Sequence, residues 1–480
     1  MSTLTHKKKE NQKQTETEDP YPTFVQLRTL DEIVKALNRP YGKPKVQILD
    51  VSGMSLGDDL AGRVATGMQK NPRGIEELTL VENLLGPRSG ERLASGLVQS
   101  RSLTKLNLSK NSLGDRGLAA LCTALLTNVT LTSLNVASNS IGSTNCGPWL
   151  EKMCEVLSKK KLKELDVSDN LCAYPDLMRI VESFHSPSCN LIMFNISMNP
   201  VSDLGIESLG LALEKGAMNT LKSLKLTCVG MGPVGSEALG RALRSEHCQV
   251  EVLWIDNNPD VGKKGMSTFL KSTFHANKCC KLIEFKMGGT MSRYDPTAAM
   301  PNPRIRPFVN TYAVDTPLVT TATVGDGSKI EKENEQKEQK EQKKEQKESA
   351  MLLTASDVTV SVWTVLSQAL SLNKTLITLD ISEELSMDDD ACSDLVPGLM
   401  QNISITNVVL EGNNIGDEGA ALLSDVFHEQ RTLLHVSLRR NNIGDEGGMA
   451  LSESLIENNA LLTLDVAHNS MDTEGEIFIL

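Results

Sequence analysis

The pattern L-x-x-L-x-L-x-x-N recurs thirteen times along this chain of 480 residues, most clearly at Leu103, Leu106, Leu108 and Asn111. Most of the repeats are 28 to 32 residues apart. A repeat of this length is one supersecondary unit that cannot bury its apolar side alone, so neighbouring units must stack on one another. The pattern therefore predicts a solenoid in which each repeat contacts only its neighbours.

The L-x-L core of the pattern predicts a short parallel strand in every repeat. Successive side chains of a strand point to opposite sides, so Leu78 and Leu80 are expected in the core and Thr79 on the surface. The surface positions are those six, four and two residues before the last position of the pattern. Together they form what we call the inner face.

Asparagine occupies the last position of the pattern in nine repeats. Its side chain can bond backbone groups of its own turn and of the next repeat, which would otherwise stay unpaired at about 1–3 kcal/mol each. Val229, Thr290 and Glu384 cannot reproduce these bonds, so a weaker ladder is expected there. The predicted ladder residues are Asn83, Asn111, Asn139, Asn170, Asn199, Asn258, Asn413, Asn441 and Asn469.

Apolar residues at helical spacing follow each asparagine, most plainly after Asn413 and Asn441. Asp417 and Asp445 fall in the first turn of these helices, where a carboxylate suits the helix N-terminus. A strand on the inside and a helix on the outside make the inner edge of a repeat shorter than its outer edge. The predicted fold is therefore an α/β horseshoe with a parallel inner sheet and outer helices.

The long repeat with xxLGDxGxxAL after the asparagine resembles the ribonuclease-inhibitor-like class of leucine-rich repeats. The resemblance covers roughly residues 46–290 and 360–480 and implies a leucine-rich repeat solenoid of about 13 repeats. Members of that class include intracellular binding scaffolds, regulators of actin and cilia, and the GTPase activator of Ran. The class implies a fold, and a fold alone does not fix a function.

Composition divides the chain into five segments. FVQLRTLDEIVKALN, from Phe24 to Asn38, is predicted to be an amphipathic helix that covers the open end of the first repeat. Ile477–Leu480 are apolar and would either cap the last repeat or dock on a partner. The predicted segments are a disordered tail at 1–22, a capping helix at 23–45, repeats one to nine at 46–290, a disordered, charged insertion at 291–356, and repeats ten to thirteen at 357–480.

Charge and hydropathy exclude several classes of partner. The formal net charge of −12 opposes a nucleic-acid-binding surface, which needs a basic face. The N-terminus lacks the apolar core of a secretion signal, and the sequence has no apolar stretch of 18 residues, so membrane insertion is not expected. The predicted location is the cytoplasm, with the cytoskeleton and a cilium or flagellum as candidate assemblies.

Catalytic and metal-binding motifs are absent from the sequence. The ten cysteines form no C-x-x-C pair and are interpreted as reduced thiols, and the seven histidines are scattered. We find no P-loop, G-x-S-x-G or H-E-x-x-H motif. The protein is therefore predicted to be no enzyme and to need no cofactor and no metal.

The register of the repeats predicts which residues are available to a protein partner. Trp254 lies between Leu253 and Ile255, so its side chain should stand on the inner face, where a tryptophan is a favoured interface anchor. Cover of Trp254 by the insertion is the alternative. The predicted protein-binding residues are Trp254, Asp256, Lys225, Lys286, an acidic group of Glu164, Asp166 and Asp169, and Glu411, His435, Arg439 and Arg440 around a basic repeat twelve.

Two functions of different classes follow from the sequence. The first is a non-catalytic scaffold that holds one or more proteins in the concavity of the horseshoe and leaves its own oligomeric state open. The second is a GTPase activator resembling that of Ran, acting through an early-repeat arginine, for which Arg63 and Arg88 are the candidates.

Overall fold

The computed structural model contains two compact units: unit 1 comprises residues 1–258 and 277–288, and unit 2 comprises residues 259–276 and 289–480. The predicted N-terminal tail, nearly all of the predicted insertion and Ile477–Leu480 lie outside the described residues. The structure describes residues 24–26, 32–33, 46–55, 57–72, 74–143, 147–159, 162–274, 280–291 and 360–472.

Short parallel strands run through each unit, and consecutive strands of a unit pair in register. In unit 1 they are β1 (Phe24–Gln26), β2 (Val46–Asp50), β3 (Ile75–Thr79), β4 (Lys105–Asn107), β5 (Ser133–Asn135), β6 (Glu164–Asp166), β7 (Met193–Asn195), β8 (Ser223–Lys225), β9 (Val252–Trp254) and β10 (Glu284–Lys286). In unit 2 they are β11 (Thr378–Asp380), β12 (Asn407–Val409), β13 (His435–Ser437) and β14 (Thr463–Asp465).

Helices of 11 to 14 residues alternate with the strands. In unit 1 they are α1 (Gly57–Lys70), α2 (Pro87–Gln99), α3 (Gly114–Leu125), α4 (Pro148–Lys159), α5 (Tyr174–Phe184), α6 (Ser202–Glu214) and α7 (Pro233–Arg244). In unit 2 they are α8 (Gly262–Phe274), α9 (Val362–Leu372), α10 (Asp389–Gln401), α11 (Asp417–Glu429) and α12 (Asp445–Glu457). Parallel strands alternating with helices confirm the predicted α/β solenoid fold.

The core of each unit lies between its sheet and its helices. In the three-residue strands β4 to β13 the central residue is buried and its neighbours are not, as for Leu106 in β4 and Leu165 in β6. In the last described strand, β14, the central Leu464 is only partly buried. Leu78 and Leu80 are almost fully buried, while Thr79 is only partly buried. The alternation predicted from L-x-L is therefore present.

The first three described residues correct one prediction. Phe24–Gln26, predicted to begin the capping helix at 23–45, form strand β1 and pair with β2, so the prediction of helix at these residues is wrong. An uncovered edge of β2 would expose unpaired N–H and C=O groups, and phenylalanine and valine favour the strand that satisfies them. Further along the predicted helix, Glu32 and Ile33 are helical and Ile33 is fully buried.

Asn111 shows how a ladder asparagine joins two repeats. Its Nδ2 donates to the carbonyl oxygen of Leu80 in the preceding repeat and of Leu108 in its own, at 2.9 Å each. Its Oδ1 accepts from the backbone N–H of Asn83 at 2.9 Å and of Leu85 at 3.0 Å. The other eight predicted asparagines likewise donate to a carbonyl of the preceding repeat.

Glu384 replaces asparagine in the ladder and is fully buried. Its Oε2 accepts from the backbone N–H of Thr290 at 3.0 Å and of Met291 at 2.9 Å. Its Oε1 accepts from the hydroxyl of Ser386 at 2.9 Å and from the backbone N–H of the same residue at 3.3 Å. The carboxylate thus supplies the accepting half of the ladder, and the weakness predicted at this position is confined to the donating half.

Aspartates at the helix N-termini form a second ladder. Asp417 does not cap its own helix α11: its Oδ1 accepts from the backbone N–H of Gly444 at 2.7 Å and of Gly447 at 2.9 Å, where α12 begins. Asp389 makes the same bonds to the first turn of α11. A Cβ on Gly447 would stand 2.6 Å from Oδ1 of Asp417, so the Gly-Asp-Glu-Gly motif leaves room for the carboxylate of the preceding repeat.

We expect Asp417→Ala to lower the free energy of unfolding by about 1–2 kcal/mol, as for the loss of an N-cap side chain. Two N–H groups of α12 would lose their acceptor. Glu418→Ala is the matched control, because Glu418 is an exposed carboxylate in the same helical turn. Urea unfolding followed by circular dichroism measures both, and equal losses would show that only the helix dipole is involved.

Amide side chains at the helix C-termini form a third ladder. Asn402 donates to the carbonyl oxygens of Leu370 and Asn373 and accepts from the backbone N–H of Ser404 and Ile405. Equivalent bonds join neighbouring repeats at Asn128, Gln430 and Asn458. Both ends of α11 and α12 are therefore bonded to the preceding repeat.

Candidate functional site

The inner face of unit 1 carries three rows of side chains. The middle row consists of the residues four positions before the ladder residue, which are cross-strand neighbours in the sheet. Neighbouring strands are about 4.8 Å apart, so adjacent members of the row can touch. In order from β2 to β10 the middle row is Asp50, Thr79, Asn107, Asn135, Asp166, Asn195, Lys225, Trp254 and Lys286.

Aspartate and asparagine in the first part of the middle row bind their own backbone. Oδ1 of Asp166 accepts from both the backbone N–H and the hydroxyl of Ser168, two residues on. Asp50, Asn107, Asn135 and Asn195 likewise accept from the backbone N–H two residues on. These side chains stabilise the turn after the strand, so the residue type there has a structural explanation.

The middle row changes character at β8, where lysine, tryptophan and lysine follow one another. None of the three can make the turn-stabilising bond of an aspartate or asparagine. Nζ of Lys225 lies 3.6 Å from the centroid of the Trp254 ring, and Nζ of Lys286 lies 5.7 Å from it. Both distances are within the range of a cation–π interaction. We call Lys225, Trp254 and Lys286 the Lys-Trp-Lys patch.

Trp254 is held in place by its polar edge as well as by its ring. Its Nε1–H donates to Oε1 of Glu284, on the neighbouring strand, at 2.5 Å. The side chain is half-buried among inner-face residues, and Leu253 and Ile255 on either side are fully buried. The structure therefore places Trp254 outward, as the register predicts.

Lys225 differs from Lys105, another lysine of the inner face, in its electrostatic partners. Lys105 forms an ion pair with Glu77 at 2.9 Å, and this hydrogen bond and charge raise the pKa of Lys105. Lys225 forms no ion pair with any residue in the described part of the chain, and its Nζ lies against the Trp254 ring. The ring therefore positions this ammonium, and no described carboxylate pairs with it.

Within the described residues, the predicted acidic group of repeat five is largely engaged in internal bonds. Oδ2 of Asp166 accepts from the amides of Asn135 and Asn195, at 3.4 and 3.1 Å. Asp169 lies in the turn after the strand, at φ 51°, and accepts from the hydroxyl of Ser138 at 2.6 Å. Glu164 lies six residues before the ladder residue of its repeat, in the row of the inner face that precedes the middle row, and it is partly exposed.

Asp256 was predicted on the exposed inner face beside Trp254, and this prediction is wrong. Its side chain is 5% exposed. Oδ1 accepts from the hydroxyl of Thr227 at 2.7 Å, and Oδ2 accepts from the amide of Asn257 at 3.2 Å. The sheet holds this carboxylate against a hydroxyl of the adjacent repeat, because burying it without hydrogen bonds would be costly.

The predicted basic group of repeat twelve is an ion-pair network within unit 2. Nε of Arg439 lies 3.6 Å from Oε1 of Glu411, and its Nη1 lies 3.9 Å from Oδ2 of Asp465. Nη1 of Arg440 lies 3.5 Å from the same Oε1 of Glu411. His435 is exposed, and its Nδ1 is 2.8 Å from the hydroxyl of Thr463. The arginine charges are thus partly neutralised by neighbours on the same face.

The two arginines considered for GTPase activation lie on helices. Arg63 is exposed in the middle of α1, and Arg88 is exposed in the first turn of α2. Neither belongs to the inner face, which the strands form.

The described cysteines are free thiols, and burial is the main cause that raises their pKa values. The pKa rises to about 11 for Cys154 and Cys280 and to about 12 for Cys392. The described residues contain no group of three or more histidine, cysteine, aspartate or glutamate side chains placed to hold a metal ion. Among the described helices, none is long and apolar enough to cross a membrane.

Four segments of the chain match the family model described as Leucine Rich repeat: residues 99–122, 127–144, 401–424 and 429–452. They coincide with strands and helices that repeat in both units. The chain is therefore a leucine-rich repeat protein, a class whose solenoid is suited to protein binding. The leucine-rich repeat predicted from the pattern is confirmed, and its assignment to the ribonuclease-inhibitor-like class stays a prediction.

Several solved structures are similar to this chain. An internalin (inlF) from Listeria monocytogenes is 14% identical, with 88% of this chain and 92% of that chain covered and a TM-score of 0.41. Rad7 in its complex with Elc1 from yeast is 14% identical, with 88% and 81% covered and a TM-score of 0.41. Actin-binding site 2 of leiomodin-1 is 20% identical, with 32% and 86% covered and a TM-score of 0.27.

Proposed function

We propose that this protein is a non-catalytic scaffold that holds a partner protein on the inner face of unit 1, with the Lys-Trp-Lys patch as the contact centre. The observation that carries the proposal is the placement of Trp254. Its ring stands outward between two lysines and is fixed by a hydrogen bond to Glu284. A rigid, partly exposed tryptophan offers a large contact area at a small entropic cost, which is why tryptophan is common among interface hot spots.

A cytoskeletal, ciliary or flagellar assembly is the setting that we propose for this scaffold. Regulators of actin and cilia occur in the ribonuclease-inhibitor-like class that the repeat resembles. The acidic balance of the chain, at −12, favours protein partners over nucleic acid. The identity of the proteins captured in the experiment below tests the setting as well as the binding face.

We expect Trp254→Ala to remove the main partner from affinity capture followed by mass spectrometry. Truncating a hot-spot tryptophan costs at least about 2 kcal/mol, which weakens binding by roughly 30-fold. Leu204→Ala is the matched control, because Leu204 is an exposed apolar residue on helix α6, away from the strands. Identical protein profiles from the wild type and Trp254→Ala would show that the binding face is elsewhere.

A second measurement on the same protein distinguishes the scaffold function from the alternative of GTPase activation. Hydrolysis of GTP by a panel of small GTPases should be unchanged when the protein is added. Acceleration that is lost in Arg63→Ala or Arg88→Ala would contradict a non-catalytic scaffold, because a catalytic arginine acts by stabilising transition-state charge.

A further inference from the structure

We infer that the Lys-Trp-Lys patch recognises an acidic peptide segment of the partner, in which carboxylates alternate with small side chains. The inference rests on the proposed function, since it names the chemistry of the partner at the same site. Two observations carry it. At β8, β9 and β10 the middle row lacks the turn-stabilising side-chain bond, and it has two lysines there.

Most of the middle row elsewhere serves the fold. Five of the six residues from β2 to β7 are aspartate or asparagine that bind the backbone two residues on. At the same position in unit 2, Asp380 and Asp465 do so as well, whereas Val409 and Ser437 do not. Lysine, tryptophan and lysine forgo this bond in three consecutive strands, so turn formation does not explain why these residue types stand there.

The sign of the charge also changes within the row. From β2 to β7 the row holds Asp50 and Asp166 and no cation, whereas from β8 to β10 it holds two lysines and no carboxylate. Two carboxylates lie beside these lysines in the other rows, but Glu284 accepts from Nε1–H of Trp254, and Asp256 is buried with both of its oxygens bonded. The ionic atmosphere screens exposed charges beyond about 8 Å at physiological ionic strength. The two lysines, rather than the acidic balance of the whole chain, therefore set the charge that a ligand meets at the middle row.

Lys225 is a preorganised cation. The ring of Trp254 holds its ammonium in place, and no carboxylate among the described residues pairs with it. An incoming carboxylate would therefore gain a charge-assisted hydrogen bond without displacing an internal partner. A cationic ligand would instead be repelled by Lys225 from the face of the ring that this ammonium covers.

The spacing of the lysines limits the shape of the ligand. Lys225 and Lys286 stand two strands apart, so their backbones are separated by about 10 Å. Carboxylates on alternate residues of an extended segment are about 7 Å apart, and the flexible lysine stems can close the difference. Small side chains between the carboxylates would let the segment lie against the Trp254 ring.

The test is a titration of the full chain with labelled ten-residue peptides, followed by fluorescence anisotropy at low and at physiological salt. A peptide of alternating glutamate and serine is expected to bind, more tightly at low salt, and a peptide of alternating lysine and serine is not. Lys225→Gln and Lys286→Gln should each weaken binding of the glutamate peptide by about tenfold. Lys163→Gln is the matched control, because Lys163 is exposed on the loop before β6.

Tryptophan fluorescence gives an independent readout of the site. The chain has three tryptophans, and Trp149 and Trp363 are buried, with exposed fractions of 0% and 3%. Binding at the patch should change the emission of Trp254, and this change should vanish in Trp254→Phe.

Four results would overturn the inference: no binding of the glutamate peptide, equal binding of the lysine peptide, unchanged affinity in both patch variants, or preferential binding of a ten-nucleotide RNA. If any of these results is found and Trp254→Ala still loses a captured protein, the acidic peptide is not the ligand, and the proposed scaffold function is retained. If Trp254→Ala captures the same proteins as the wild type, the proposed binding face is wrong, whatever the result of the peptide titrations.

Discussion

Asn111→Ala should lower the free energy of unfolding by about 3–5 kcal/mol, because several buried backbone groups would lose their hydrogen-bond partners at once. The amide of Asn111 donates to Leu80, Leu108 and Ser109, and its carbonyl accepts from Asn83 and Leu85. These groups belong to two neighbouring repeats. Alanine would leave them without the hydrogen-bond partner that Asn111 supplies.

Urea unfolding followed by circular dichroism measures this loss. Asn219→Ala is the matched control, since Asn219 is exposed in unit 1 and should change the free energy of unfolding by less than about 0.5 kcal/mol. A comparable loss in both variants would mean that the asparagine side chain matters for a reason other than the ladder.

Glu384→Ala should lower the free energy of unfolding by about 2–4 kcal/mol, because three backbone N–H groups and one hydroxyl would lose a buried acceptor. Glu384→Asn should recover most of this loss, to within about 1 kcal/mol of the wild type. Asn258 shows why: at the same place in its repeat, its carbonyl accepts from the backbone N–H of Val229 and Met231.

The comparison of the two substitutions at Glu384 separates hydrogen bonding from filling of space. Alanine removes the acceptor, while asparagine keeps one and adds the donor that the other ladder positions have. Unfolding in urea at neutral pH gives both values. An asparagine variant as unstable as the alanine variant would show that the longer glutamate side chain is needed to reach Thr290 and Met291.

The repeat pattern predicted the strands, the helices between them and the nine ladder asparagines well, because each depends on local spacing alone. Phe24–Gln26 is the exception, since the pairing of this segment with β2 depends on an open sheet edge rather than on its own helical pattern. Asp417 lies in the first turn of α11, as its place in the sequence predicts. The bond of its carboxylate to the next helix depends on the stacking of two repeats and could not be predicted from local spacing.

The candidate site could be predicted only in part. The register places Lys225, Trp254 and Lys286 in one row and Trp254 on the surface. It gave no indication that Asp256 is buried beside Thr227, or that Arg439 and Arg440 share Glu411. Side-chain direction follows from strand alternation, whereas the partner that a side chain meets depends on its rotamer and on the repeat beside it.

The sequence by itself determined the repeating strand and helix, the side of the strand on which each leucine lies and the positions of the ladder asparagines. Periodic burial imposes these features on every repeat in the same way. Only the tertiary structure decided which polar residues of the inner face are engaged internally and which remain available. That distinction depends on contacts across 28 to 32 residues of chain, and it separates Asp166, bonded to three neighbours, from the ammonium of Lys225 on the Trp254 ring.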